Sequence, residues 1–129
     1  MASVVIHTKD APEAIGPYVQ ARVVNGNTLY TSGCVAINPH TGEKPEGIKE
    51  QTELVFSNLD AILREAGFQR SDVIKTTVFL LDMGDFAEVN KIYAGFFGDH
   101  KPCRSCVQAA RLPGQPSFKV EIEAIAVKA

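Results

Sequence analysis

The residues with the most chemical potential lie in Lys101-Pro-Cys-Arg-Ser-Cys-Val-Gln-Ala-Ala110. Pro102 cannot donate a ladder hydrogen bond and suits the first residue of a strand. A side-chain period of two then puts Cys103, Ser105, Val107 and Ala109 on one face and Arg104, Cys106, Gln108 and Ala110 on the other. A guanidinium inside so uncharged a strand calls for an anion, because arginine is rarely buried without a partner. Glu121 and Glu123, two apart on a later strand-like run, offer two solutions. In one they lie on a solvated polar face, or pair across strands with Arg104. In the other, Arg104 forks onto a substrate carboxylate while a glutamate handles a water or a proton.

Other chemical patterns are weaker. Cys103 and Cys106 form a C-x-x-C, a redox or metal signature in a reducing compartment. Inside a strand, however, residues three apart point to opposite faces. Zinc needs two further ligands, and Cys34, His7, His40 and His100 show no paired spacing. Both cysteines are therefore expected to be small core residues. Ser32 in Tyr-Thr-Ser-Gly-Cys lacks the G-x-S-x-G elbow, and no histidine is marked as its base. No P-loop or dinucleotide fingerprint is present, so no nucleotide cofactor is implied.

The elements that must position these groups follow from periodicity. Ser3 to His7 reads as a short strand and Asp10 to Pro17 as a loop. Tyr18 to Val24 and Thr28 to Val35 are β-rich runs around Asn25-Gly26-Asn27, a strong hairpin signal. Ile37 to Gly47 is a loop. Ile48, Val55, Leu59, Ile62 or Leu63, and Ala66 fall at helical spacing, with Gly67 as C-terminal cap. Asp72 to Leu81 is β-branched and strand-like. A second helix starts at Asp85, with Glu88 completing a capping box; Phe86, Val89, Tyr93 and Phe96 or Phe97 form its stripe, and Gly98 ends it. After the Arg104 strand, Arg111 to Pro116 turns the chain into a last strand, Ser117 to Val127.

Two helices cannot cover both faces of such a sheet, so an α+β domain with both helices on one face is expected. Phe118, Val120, Ile122, Ala124 and Ala126 then pack under the helices. On the other face Ile125 and Val127 are apolar where water alone would not require it, which points to an oligomer.

Composition narrows the function classes. With 129 residues and 45% hydrophobic content, the chain suits one soluble domain spanning residues 1–129. A net charge of −2 with scattered Lys and Arg disfavours nucleic acid and anionic membranes as partners. No apolar run reaches the ~20 residues a spanning helix needs. The N-terminal stretch lacks the features of a signal or transit peptide, and three cysteines argue against a disulfide framework. A cytoplasmic protein is expected.

Ala14-Ile-Gly-Pro-Tyr-Val-Gln20, Thr31-Ser-Gly33, Lys75-Thr-Thr-Val-Phe79, Phe86-Ala-Glu-Val-Asn90, Arg104-Ser-Cys-Val107, Arg111-Leu-Pro113 and Val120-Glu-Ile-Glu-Ala-Ile-Ala126 together resemble the RidA (YjgF/UK114) family over nearly the whole chain. The resemblance implies a chorismate-mutase-like α+β fold assembled as a homotrimeric barrel, with sites between subunits. It implies cofactor-independent hydrolysis of 2-imino acids and their enamines, such as 2-iminobutanoate and 2-iminopropanoate, to 2-oxo acids and ammonia. By matching position, Arg104 would clamp the carboxylate, Glu121 would position or activate water, and Tyr18 would line the cleft near the reacting carbon. Ser32, Gly33, Asn90 and Cys106 match pocket-lining positions. Cys103 departs from the family pattern, where alanine is common. The competing functions are a non-catalytic module that captures small carboxylates or a partner protein, and, against the charge balance, the ribonuclease or translation-inhibitor activity attributed to relatives.

Overall fold

A computed structural model describes residues 2–114 and 118–129. Its strands are β1 (Ser3–Ile6), β2 (Ala21–Val24), β3 (Thr28–Thr31), β4 (Val73–Leu80), β5 (Cys103–Gln108) and β6 (Val120–Val127). Two helices, α1 (Ile48–Ala66) and α2 (Phe86–Phe97), connect β3 to β4 and β4 to β5. The strands form one sheet in the order β1-β2-β3-β6-β4-β5. Every pairing is antiparallel except β4 with β5. A parallel pair needs a crossover, and α2 supplies it.

The turns have local causes. Asn25 and Gly26 both adopt positive φ (52° and 73°), as the Asn-Gly hairpin requires. Helix α1 occupies the span its periodicity predicts and ends on Gly67 at φ 81°. There the Gly67 N–H donates to the Arg64 carbonyl and the Phe68 N–H to the Leu63 carbonyl (2.8 Å), a Schellman closure with Phe68 and Leu63 both buried.

At α2 the expected capping box is absent. A 3-10 turn at Met83–Asp85 precedes the helix, and Asp85 makes no side-chain cap. Asp82 caps the turn instead, its Oδ1 accepting the Gly84 N–H at 2.8 Å. The strands are also shorter than their apolar runs suggest, and Ser117 and the end of the Arg111–Pro116 turn lie outside the described residues.

Strands β4 and β6 alternate between buried and more exposed positions, and their buried residues share one face with both helices. Val78, Leu80, Val120, Ile122 and Ala126 meet Val55, Leu59, Ile62 and Leu63 of α1 and Val89 and Phe97 of α2 in one cluster. The predicted two-helix face is therefore present, and both Ile62 and Leu63 belong to it. An irregularity at Ile74 shifts the β4–β6 register between Val73 and Lys75.

The opposite face carries no helix. Tyr30, Ile74, Val107 and Val127 are each at least 38% exposed there or at its margins. No helix among the described residues is long and apolar enough to cross a membrane.

Candidate functional site

Arg104 stands on β5, which is an edge strand, so the guanidinium is exposed rather than buried. In register with it, Thr76 of β4 faces the helices and is fully buried; Arg104 therefore points to the helical side. Its Nη1 donates to Asn90 Oδ1 of α2 at 2.5 Å. Its Cζ lies 4.8 Å from the Tyr93 ring centroid and 5.4 Å from that of Phe86. Cys106, two residues on, lies half-buried on the same face. Burial raises its thiol pKa while Arg104 pulls it the other way, so the thiol is protonated and a poor nucleophile at neutral pH.

A guanidinium has five N–H donors, and one is committed to Asn90. Among the described residues, no carboxylate pairs with Arg104. The open side of the group looks onto a cleft of about 430 Å³ walled by Asn90, Tyr93, His100, Lys101 and Pro102.

A second cluster sits on the other face of the sheet. Glu121 on β6 is paired with Phe79 of β4, which in turn pairs with Val107 of β5, all on the side away from the helices. It lines a cleft of about 470 Å³ with Tyr18, Ser32, Gly33, Pro113 and Gly114. Tyr18 Oη accepts the Ile15 N–H at 3.1 Å, which leaves the phenolic proton for another acceptor. Ser32 Oγ donates to the Val19 carbonyl at 2.6 Å, so toward a ligand it can only accept. The loop before β2 is held by Gln20, whose Nε2 donates to carbonyls of Thr8 (3.0 Å), Ala11 (3.2 Å) and Pro12 (2.9 Å).

Gly33 leaves room for the Glu121 side chain. A β-carbon built on it lies 2.6 Å from Glu121 Cδ and 2.9 Å from Cγ, well inside contact distance.

Burial, then the neighbouring Glu123, raises the Glu121 pKa above the ordinary carboxylate value. The folded state thus holds this proton to higher pH than the unfolded chain. Stability from this group falls as pH rises from the unfolded toward the folded pKa, and the cost persists above it. Glu121→Gln is expected to leave thermal stability unchanged below the ordinary carboxylate range. Above that range the variant gains on wild type, a difference read from melting temperatures across pH.

The structure thus divides the predicted residues into two groups, Arg104, Asn90 and Cys106 against Tyr18, Ser32, Gly33 and Glu121. The Arg104–Glu121 cross-strand pair does not form, because β4 lies between their strands and the side chains leave opposite faces. Two strand spacings separate them laterally by roughly 10 Å, and three residues along the strand add about 10 Å more.

The cysteines also differ from expectation in part. Cys103 is exposed on β5, not a core residue, and it points away from Cys106. Cys34 is buried, and its thiol is pushed up to about 12 by that burial and by Glu121. Among the described residues, no three His, Cys, Asp or Glu side chains converge as a metal site. Tyr93 and Phe86, assigned by sequence only to an apolar stripe, turn out to floor the Arg104 guanidinium. The available signal was Tyr93 three residues after Asn90, on the same side of α2.

Residues 8–128 match the family described as Endoribonuclease L-PSP. A RutC family protein of Pasteurella multocida is 52% identical over 129 residues, covering 97% of this chain and 98% of that protein. A protein of Escherichia coli K12 named 2-iminobutanoate/2-iminopropanoate deaminase is 49% identical over 126 residues, covering 95% of this chain and 96% of its own. The solved structure of Escherichia coli TdcF with bound serine superposes with a TM-score of 0.91 at 47% identity, covering 98% and 99% of the two chains.

Proposed function

This chain belongs to the Endoribonuclease L-PSP family, the RidA/YjgF proteins, and on that basis we propose that it hydrolyses small 2-imino acids to 2-oxo acids and ammonia. The observation that carries the reading is Arg104, an oriented guanidinium at the mouth of a cleft, with no carboxylate among the described residues pairing with it. The name of the Escherichia coli relative supports the same chemistry. A small amino acid in the TdcF structure fits a carboxylate-binding pocket in the family.

The site is completed between subunits. A substrate of a few heavy atoms cannot touch Arg104 and Glu121 of one chain, since they leave opposite faces of the sheet. The bare sheet face, with Tyr30, Ile74, Val107 and Val127 exposed, supplies apolar surface for an assembly of chorismate-mutase-like homotrimer type. Arg104 of one subunit then meets Tyr18, Ser32, Gly33 and Glu121 of the next.

The protonated imine is already electrophilic, so orientation and a positioned water suffice as catalytic demands. Arg104 holds the carboxylate through charge-assisted hydrogen bonds. Glu121 takes a proton from water as its oxygen adds to the imine carbon, giving a tetrahedral carbinolamine. The same carboxyl returns that proton to nitrogen and, as the carboxylate, takes the carbinol hydroxyl proton while C=O forms and the C–N bond breaks. The 2-oxo acid leaves, and the ammonia carries that proton away as ammonium. Tyr18, with its phenolic proton free, donates to the polar atoms at the reacting carbon. Because Glu121 must be ionised to act as base and its pKa is raised, activity falls with acidification at a higher pH than an ordinary glutamate would dictate.

The assay generates imine in situ with an amino-acid oxidase and follows its disappearance. Acceleration over buffer is expected. Binding of 2-oxo acids with no acceleration would instead make the protein a carboxylate-capture module. The net charge of −2 with scattered basic residues speaks against RNA as the substrate.

A further inference from the structure

Arg104 is a long, flexible side chain on an exposed edge strand, the setting in which a guanidinium usually samples many rotamers and loses them on binding. Here it is held on several sides. Asn90 fixes Nη1, and the Tyr93 and Phe86 rings lie within cation–π range of the guanidinium carbon. Tyr93 is itself fixed. Its hydroxyl is hydrogen-bonded to Thr76 Oγ1 at 2.7 Å, and its ring packs edge-on to Phe56 at 5.8 Å and against Phe97 at 4.9 Å. Thr76 is fully buried on β4, directly across from Arg104 in the parallel register. One strand thus sets the ring that sets the arginine on the next.

A hydroxyl pair in this apolar layer is not needed for packing. Valine and phenylalanine have nearly the same shapes and no polar groups to satisfy. What the pair adds is a fixed position for the ring beneath the guanidinium.

We propose that Tyr93, anchored by Thr76, is a positioning residue that pre-sets the Arg104 guanidinium for capture of a small carboxylate; this rests on the reading of Arg104 as the carboxylate clamp. Tyr93 touches neither the reacting carbon nor the water. Its contribution is therefore uniform binding, which appears in KM rather than in kcat.

The test compares binding of 2-oxobutanoate and of its uncharged amide, together with imine kinetics, in Tyr93→Leu, Tyr93→Phe, Thr76→Val, the Tyr93→Phe/Thr76→Val double variant and Arg104→Ala. Tyr93→Leu is expected to weaken 2-oxobutanoate binding and raise KM by roughly 10-fold, with kcat nearly constant and amide binding unchanged. Tyr93→Phe and Thr76→Val each give about a 3-fold loss, and the double variant is no worse than either, because the two hydroxyls act as one unit. The NMR order parameter of the Arg104 Nε–H falls in every Tyr93 and Thr76 variant.

If Arg104→Ala weakens 2-oxobutanoate but folded Tyr93 and Thr76 variants bind it as wild type does, the positioning role is overturned while the clamp survives. Equal losses for oxo acid and amide likewise overturn it, as general damage to the pocket. If Arg104→Ala leaves 2-oxobutanoate binding intact, or wild type does not bind it, the clamp fails and the positioning role with it. Should Tyr93→Leu not fold, Tyr93→Phe and Thr76→Val decide the matter alone.

Discussion

Arg104→Ala is expected to fold and assemble as wild type does and to lose roughly 10²- to 10⁴-fold in kcat/KM for imine hydrolysis. The magnitude follows from two charge-assisted hydrogen bonds to the substrate carboxylate at about 1.5–3 kcal/mol each. Folding is spared because the side chain is exposed on an edge strand and its hydrogen-bond partner, Asn90, stays accessible to water when it is gone. Arg104→Lys keeps the charge and loses the fork, and is expected to recover only a small part of the activity. Coupled kinetics with solution mass and melting temperature separates this outcome from simple unfolding. Normal turnover by Arg104→Ala would remove the arginine from the chemistry.

Gly33→Ala is the second large effect, and it arises without touching any charged group. The new methyl group occupies the space of the Glu121 side chain. A carboxylate at the end of a flexible chain can swing away, so the stability loss is expected to be modest, about 1 kcal/mol. The activity loss is expected to approach that of Glu121→Gln, because the base leaves the place where water is to be positioned. Equilibrium unfolding and kcat together check both halves. A variant as active as wild type would mean that Glu121 need not stand against Gly33.

Much of the local structure was legible because its signals are local. Asn25-Gly26 forces a hairpin, and the spacing from Ile48 to Ala66 specifies a helix ended by Gly67. The apolar alternation of Val120, Ile122, Ala124 and Ala126 identifies the face beneath the helices.

What the sequence concealed is non-local. Nothing near β6 says that it lies between β3 and β4, or that β5 ends the sheet. A period of two assigns faces within a strand but does not relate the face of Arg104 to that of Glu121. A pair between them is therefore compatible with the sequence, although the fold excludes it. The capping box failed for a subtler reason. Asp85 and Glu88 have the right spacing, but the 3-10 turn delivers Asp85 already in helical conformation, and Asp82 caps one turn earlier. Tyr93 was hidden by its own hydrophobicity, since an aromatic ring in a helical stripe reads as core until the arginine above it is placed.

The central claim is that one site is built from Arg104 of one subunit and Glu121 of the next. Arg104→Ala and Glu121→Gln chains, each inactive alone, test it directly when unfolded together, mixed in equal amounts and refolded. Random assembly into rings creates sites that receive an intact Arg104 from one variant and an intact Glu121 from the other. The account predicts recovery of about a quarter of the wild-type activity per chain. A mixture that forms mixed assemblies and stays inactive would contradict it, because both residues would then be needed from the same chain.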